Sequence, residues 1–84
     1  MIYTHHLIAL AKIFDQVVSL DRNPDTNRFK VWINFVSFKE KTSHARQPVT
    51  GNGFTIEDAA YDYILKVRGG LLVHTLTDQS QEVI

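Results

Sequence analysis

The chain has 84 residues, enough for one domain that buries only roughly 60% of its unfolded surface, so a second copy or a partner would add useful stability. Cysteine is absent, which excludes disulfides, thiolate nucleophiles and cysteine-ligated zinc or iron–sulfur sites, and fits a reducing compartment. Nine basic residues balance nine acidic ones, so no global field draws the chain to nucleic acid or to an anionic membrane, and no apolar run approaches the roughly 20 residues a membrane helix needs.

From Thr4 to Leu20 the residues Leu7, Leu10, Ala11, Phe14, Val17 and Val18 recur at spacings of three and four, which predicts one helix with Ile8, Ile13 and Leu20 widening its apolar face. Thr4 stands where an N-cap is expected, and Pro24 within Asp21-Arg22-Asn23-Pro24-Asp25 closes the helix and opens a loop to about Asn27. From Phe29 to Glu40 the period changes to two. Phe29, Val31, Ile33 and Phe35 share one face of a strand; Lys30, Trp32, Asn34, Val36, Phe38 and Glu40 share the other. Lys41-Thr42-Ser43-His44 connects to a weaker strand near Ala45 to Thr50, which Pro48 confines to an edge or a bulge.

Thr50-Gly51-Asn52-Gly53-Phe54-Thr55 reads as a tight glycine turn running into a helix start. Thr55 is the N-cap, Asp58 reaches back towards it, and Glu57 favours the dipole. The helix is predicted over 56–67 with Ile56, Ala60, Tyr63, Ile64 and Val67 on its inner stripe, ending at Gly69 in the left-handed conformation. Leu71 to Leu76 forms the last strand, and the polar residues from Thr77 on, about 78–84, are expected to fray. The order helix, strand, strand, helix, strand predicts a single α+β domain over 1–84, with both helices on one face of a three-stranded antiparallel sheet and Phe14, Ile33, Phe35 and Ile64 deep in the core.

Residues 51–64, with Gly69-Gly70-Leu71-Leu72-Val73 after them, resemble a pattern of short uncharacterised bacteriophage proteins: a Gly-x-Gly strand end, a capped acidic-Ala helix, then an apolar strand after glycine. That resemblance implies a phage or mobile-element accessory protein acting in the cytoplasm of a bacterial host, in one concrete form an inhibitor of a defence system such as CRISPR. The same segment is similar to the last strand and helix of double-stranded-RNA-binding domains. Their phosphate-facing lysine cluster is replaced here by Ile56, Glu57 and Asp58, which argues against RNA binding through that helix.

No set of residues reads as catalytic, cofactor-binding or metal-ligating. Gly51-Asn52-Gly53 is followed by repelling acidic residues rather than by a Walker lysine, so it reads as structure. His5 and His6 diverge by about 100° on a helix and cannot share a metal. His74 reads as a packed, hydrogen-bonded histidine, and Ser19, Ser37, Ser43 and Ser80 occupy no nucleophile elbow. Lys39, Lys41, His44 and Arg46 gather at one connection, either as a solvated tip or as a phosphate-contacting loop.

Trp32, Val36 and Phe38 project from the sheet face that no further helix covers, which marks them as the centre of a protein interface, in a homodimer or against a host or phage protein. A β-bulge near Phe35 that swaps faces would instead take Val36 and Phe38 into the core and leave only Trp32 outside. The sequence therefore favours a non-enzymatic binding protein, with nucleic-acid binding through Lys39, Lys41 and Arg46 as the alternative.

Overall fold

The computed structural model describes residues 1–84. Its elements run α1 (Ile2–Ile13), β1 (Val18–Asn23), β2 (Arg28–Ile33), β3 (Val36–Lys39), β4 (Gly51–Gly53), α2 (Ile56–Val67), β5 (Leu71–His74) and β6 (Ser80–Glu82). The α+β class stands, but the expected single sheet is two antiparallel ones of three strands each, ordered β1-β2-β4 and β3-β5-β6.

Three local events account for the difference. The first helix stops at Ile13, because Asp15 takes a left-handed conformation (φ 55°) and the N–H groups of Phe14, Asp15 and Gln16 fold back onto the Ala11 and Lys12 carbonyls. Residues 18–23, expected as helix and loop, are free to pair antiparallel with 28–33. What reads as a helix stop is a hairpin turn: the Asp25 N–H donates to the Asn23 side chain at 2.9 Å, and Asn27, at φ 62°, donates its N–H to the Asn23 carbonyl at 2.8 Å.

Next, the expected continuous strand 29–40 breaks at Asn34–Phe35, and its second half joins β5 in the other sheet, Val36 opposite His74 and Lys39 opposite Leu71. Phe35, expected in the core, sits at this turn with φ 59° and 57% exposed. Finally, the tail expected to fray adds β6 to β5 and plants Val83 in the core, 2% exposed. The expected strand at 45–50 is reduced to one bridge, Gln47 with Phe38, and Pro48 beside it holds it to that.

The second helix matches its sequence signals. Thr55 is the N-cap, its hydroxyl accepting from the Asp58 N–H at 3.0 Å, and Gly69 is left-handed at φ 83°. Gly51 and Gly53 do more than turn the chain: they form β4, and a Cβ on Gly51 would stand 2.7 Å from the Tyr63 backbone, one on Gly53 2.6 Å from the Ala59 nitrogen. Helix therefore lies directly on strand backbone. The outer edge of β4 is closed by that helix, since Asp62 accepts from the Asn52 N–H at 2.9 Å and Lys66 donates to the Thr50 carbonyl at 2.9 Å.

Leu7, Leu10, Ala11 and Phe14 of the N-terminal helical segment meet Ala60, Tyr63, Ile64 and Val67 of α2 in one core with Val31, Ile33 and Leu72. Val17, expected there, is exposed because the helix ends before it. Thr4 is not the N-cap of α1; Met1 is, without a side-chain bond. Glu57 of α2 supplies the missing acceptor, taking the N–H groups of Tyr3 and Thr4 at 3.1 and 2.8 Å and the Thr4 hydroxyl at 2.9 Å. Desolvation pushes the Glu57 carboxyl upwards, but those hydrogen bonds and the nearby chain terminus outweigh it and hold it below its ordinary value. The Tyr63 hydroxyl, by contrast, is buried without a partner, and burial pushes the phenol above its ordinary value.

Candidate protein-binding groove

Between the two sheets, where β2 turns into β3, lies a groove of about 440 Å³. Trp32, Ile33, Phe35 and Val36 line it from the passage of β2 into β3, and Pro48 and Val49 from the chain that leads into β4. The groove follows from the ladder. Antiparallel pairing of β2 with β4 runs from Phe29–Gly53 to Val31–Gly51 and then stops, and the chain before Gly51 bridges Phe38 of β3 through Gln47 instead.

Trp32 is half-buried and held in place: its indole N–H donates to the Asn34 side-chain oxygen at 3.2 Å, which also accepts from the Ser19 hydroxyl at 2.8 Å. Lys30 lies over the indole, its Nζ 5.8 Å from the ring centroid. Phe35 is pinned by its backbone, whose carbonyl accepts from the Thr75 N–H at 2.8 Å, and its ring stacks on the His74 imidazole with centroids 6.4 Å apart.

His74 is packed and hydrogen-bonded, as its place in an apolar strand suggested. It is 6% exposed, and the N–H groups of Leu76 and Thr77 converge on its Nδ1 at 3.1 and 3.3 Å. That nitrogen faces two donors, and Nε2 lies 3.3 Å from the Gln16 side-chain amide on the other side of the ring. The imidazole serves as the base on which Phe35 rests. Leu76 and Val17, 75% and 65% exposed, lie on the chain beside these groups, Val17 through a bond from the Asn34 N–H to its carbonyl.

Comparison with protein-family models, with curated proteins and with solved structures found no match.

The three residues singled out in the sequence do not share an exposed face. Trp32 lines the groove, whereas Val36 is buried at 7% exposure and Phe38 is half-buried against the core, where a Cβ on Gly70 would meet its ring. The chain changes faces at Asn34–Phe35, by a turn between sheets rather than a bulge within one, so the odd-numbered set loses Phe35 to solvent as the even-numbered set gains Val36 for the core. Phe35 is the exposed aromatic that the period-two reading placed inside. Asn34 was the available signal, a turn-former in an otherwise apolar run.

The basic connection is partly neutralised. Lys41 pairs with Glu82, Arg46 pairs with Asp78 at 2.7 Å, and Lys39 is half-buried on β3; His44 is exposed. His5 and His6 are exposed on α1, and no three His, Asp or Glu side chains come together as a metal site. No helix is long and apolar enough to cross a membrane.

Proposed function

We propose that this chain is a small non-enzymatic binding protein that docks on a protein partner through the Phe35 end of the molecule, with Trp32 in the adjoining groove. The supporting observation is Phe35 itself, a bulky aromatic at φ 59° with 57% of its surface in solvent. A left-handed conformation costs a non-glycine residue roughly 1–2 kcal/mol, and the exposed ring recovers little of that by burial. Such a residue is worth keeping where a partner covers it, and strained backbone gathers at ligand clamps. Exposed Val17 and Leu76 extend the apolar surface around it.

The resemblance of residues 51–64 to bacteriophage proteins supports a more specific form: a phage or mobile-element protein that binds and inhibits a host protein, an anti-CRISPR inhibitor among the candidates, acting in the bacterial cytoplasm. A homodimer through the same end is the self-complementary version of the reading. Nucleic-acid binding through Lys39, Lys41 and Arg46 is less well supported, because two of the three cations already have carboxylate partners.

The test is Phe35→Ser, measured by sedimentation at rising protein concentration and by capture from phage-infected host cells against the unmodified chain. Loss of the captured partner or of self-association, with an unchanged circular dichroism spectrum, supports docking through this end. Retention of both by the Ser variant overturns it.

A further inference from the structure

We infer that the groove beside Phe35 takes an extended, acidic segment of a partner protein, one that places an aspartate or glutamate next to an aromatic or aliphatic residue. The inference rests on the docking reading above and specifies its chemistry. Charge is the first ground. Lys30 and Arg46 both line the groove, and no aspartate or glutamate does. This is a local excess of positive charge on a chain whose total is balanced. Arg46 is engaged by Asp78 at 2.7 Å, so Lys30, which has no carboxylate partner, carries the local excess, and Arg46 contributes only where an incoming carboxylate displaces Asp78 from that exposed pair.

The backbone is the second ground. The Asn34 N–H donates to the Val17 carbonyl, so the even-numbered residues of β2 direct their hydrogen-bonding groups towards β1 and the odd-numbered ones towards β4. Phe29 and Val31 meet Gly53 and Gly51 there, and Val49 is next in register with Ile33. No hydrogen bond joins Ile33 to Val49. The ladder of β2 with β4 therefore ends at Val31, and an extended segment lying in the groove runs alongside the last residues of β2 beyond that end. The third ground is the apolar lining. Trp32, Val49 and Phe35 stand beside the cations and offer a pocket for a side chain adjacent to the carboxylate.

The test uses short randomised peptides displayed and selected against the full chain, followed by titration of the selected peptides with the fluorescence of Trp32, the one tryptophan in the chain, as readout. The expected outcome is enrichment of Asp or Glu adjacent to Phe, Leu, Ile or Val, with saturable binding that weakens as salt rises. Lys30→Gln combined with Arg46→Gln should raise Kd by roughly tenfold while the denaturation midpoint holds, because both cations are exposed. Enrichment of basic or uncharged peptides, no enrichment at all, or a Kd indifferent to the double substitution overturns the inference. A single-stranded oligonucleotide that binds at near-physiological salt and needs Lys30 overturns it as well, in favour of a nucleic-acid groove. Failure here with a Phe35-dependent partner still captured refutes the acidic segment alone; loss of Phe35 dependence refutes the docking reading beneath it.

Discussion

Where β4 meets α2, two glycines let backbone approach backbone, and Asp62 and Lys66 close the edge groups of the strand. At Asn34–Phe35 the reverse holds: an aromatic residue occupies a conformation that suits glycine, and apart from its stacking on His74 it is left more than half in solvent. The first arrangement gives each residue type what its chemistry favours, and its product is stability. The second disfavours the residue it holds, and the proposed docking through Phe35 rests on that contrast.

The largest effect that would break this contrast is at Gly51. Gly51→Val forces a side chain into the Ala59 carbonyl and the Tyr63 backbone, and should destabilise by about 3 kcal/mol through overpacking, read as a collapse of the chemical denaturation midpoint. A variant with wild-type stability would show that α2 does not lie on β4 as described. Thr55→Ala, which removes the hydroxyl that accepts from the Asp58 N–H, should cost roughly 1 kcal/mol. The same helix contains one local exception: the Tyr63 hydroxyl has no partner. Tyr63→Phe should therefore be neutral or stabilising by up to about 1 kcal/mol, and a clear loss of stability would mean that the hydroxyl is bonded after all.

A smaller effect separates the two helices by pH. Glu57 holds the first turn of α1, and its folded value lies below the ordinary 4.5, so its contribution is fully present above the unfolded value and is lost as pH falls through the folded one. Glu57→Gln should flatten the acid limb of the stability curve below about pH 4.5 and leave the slope near neutral pH unchanged. An acid limb identical to that of the parent chain would remove Glu57 from the cap.

These contrasts also mark what the sequence makes legible. The second helix could be read from its cap, its stripe and its terminal glycine because each is a local signal and all agree. The span 14–23 could not, since apolar spacing of three and four fits a helix until Asp15 turns left-handed, and the partner that makes 18–23 a strand lies across a hairpin. The tail misled in the same way: Ser80 to Glu82 are polar, and only pairing with β5 orders them and carries Val83 inside. Glu57 was read as serving its own helix because nothing local tells of a helix terminus more than fifty residues away in sequence. Of the groove, Trp32 was visible as a costly aromatic on a polar-phase position, whereas Phe35 was assigned to the core by a period that Asn34 interrupts. Lys30 and Arg46 were visible only as separate charges, since the end of the β2–β4 ladder at Val31 and the bridge from Gln47 to Phe38 are what bring them to one groove.

The central claim is that Phe35 is held at the expense of stability for the sake of a partner, and Phe35→Gly tests it most directly because glycine accepts φ 59° and removes the ring. Equilibrium denaturation of the variant, set beside sedimentation of the same samples, should give a fold at least as stable as the parent, by up to about 1 kcal/mol, together with lost association or partner capture. A variant that unfolds more easily and still associates would make Phe35 a structural residue and contradict the account.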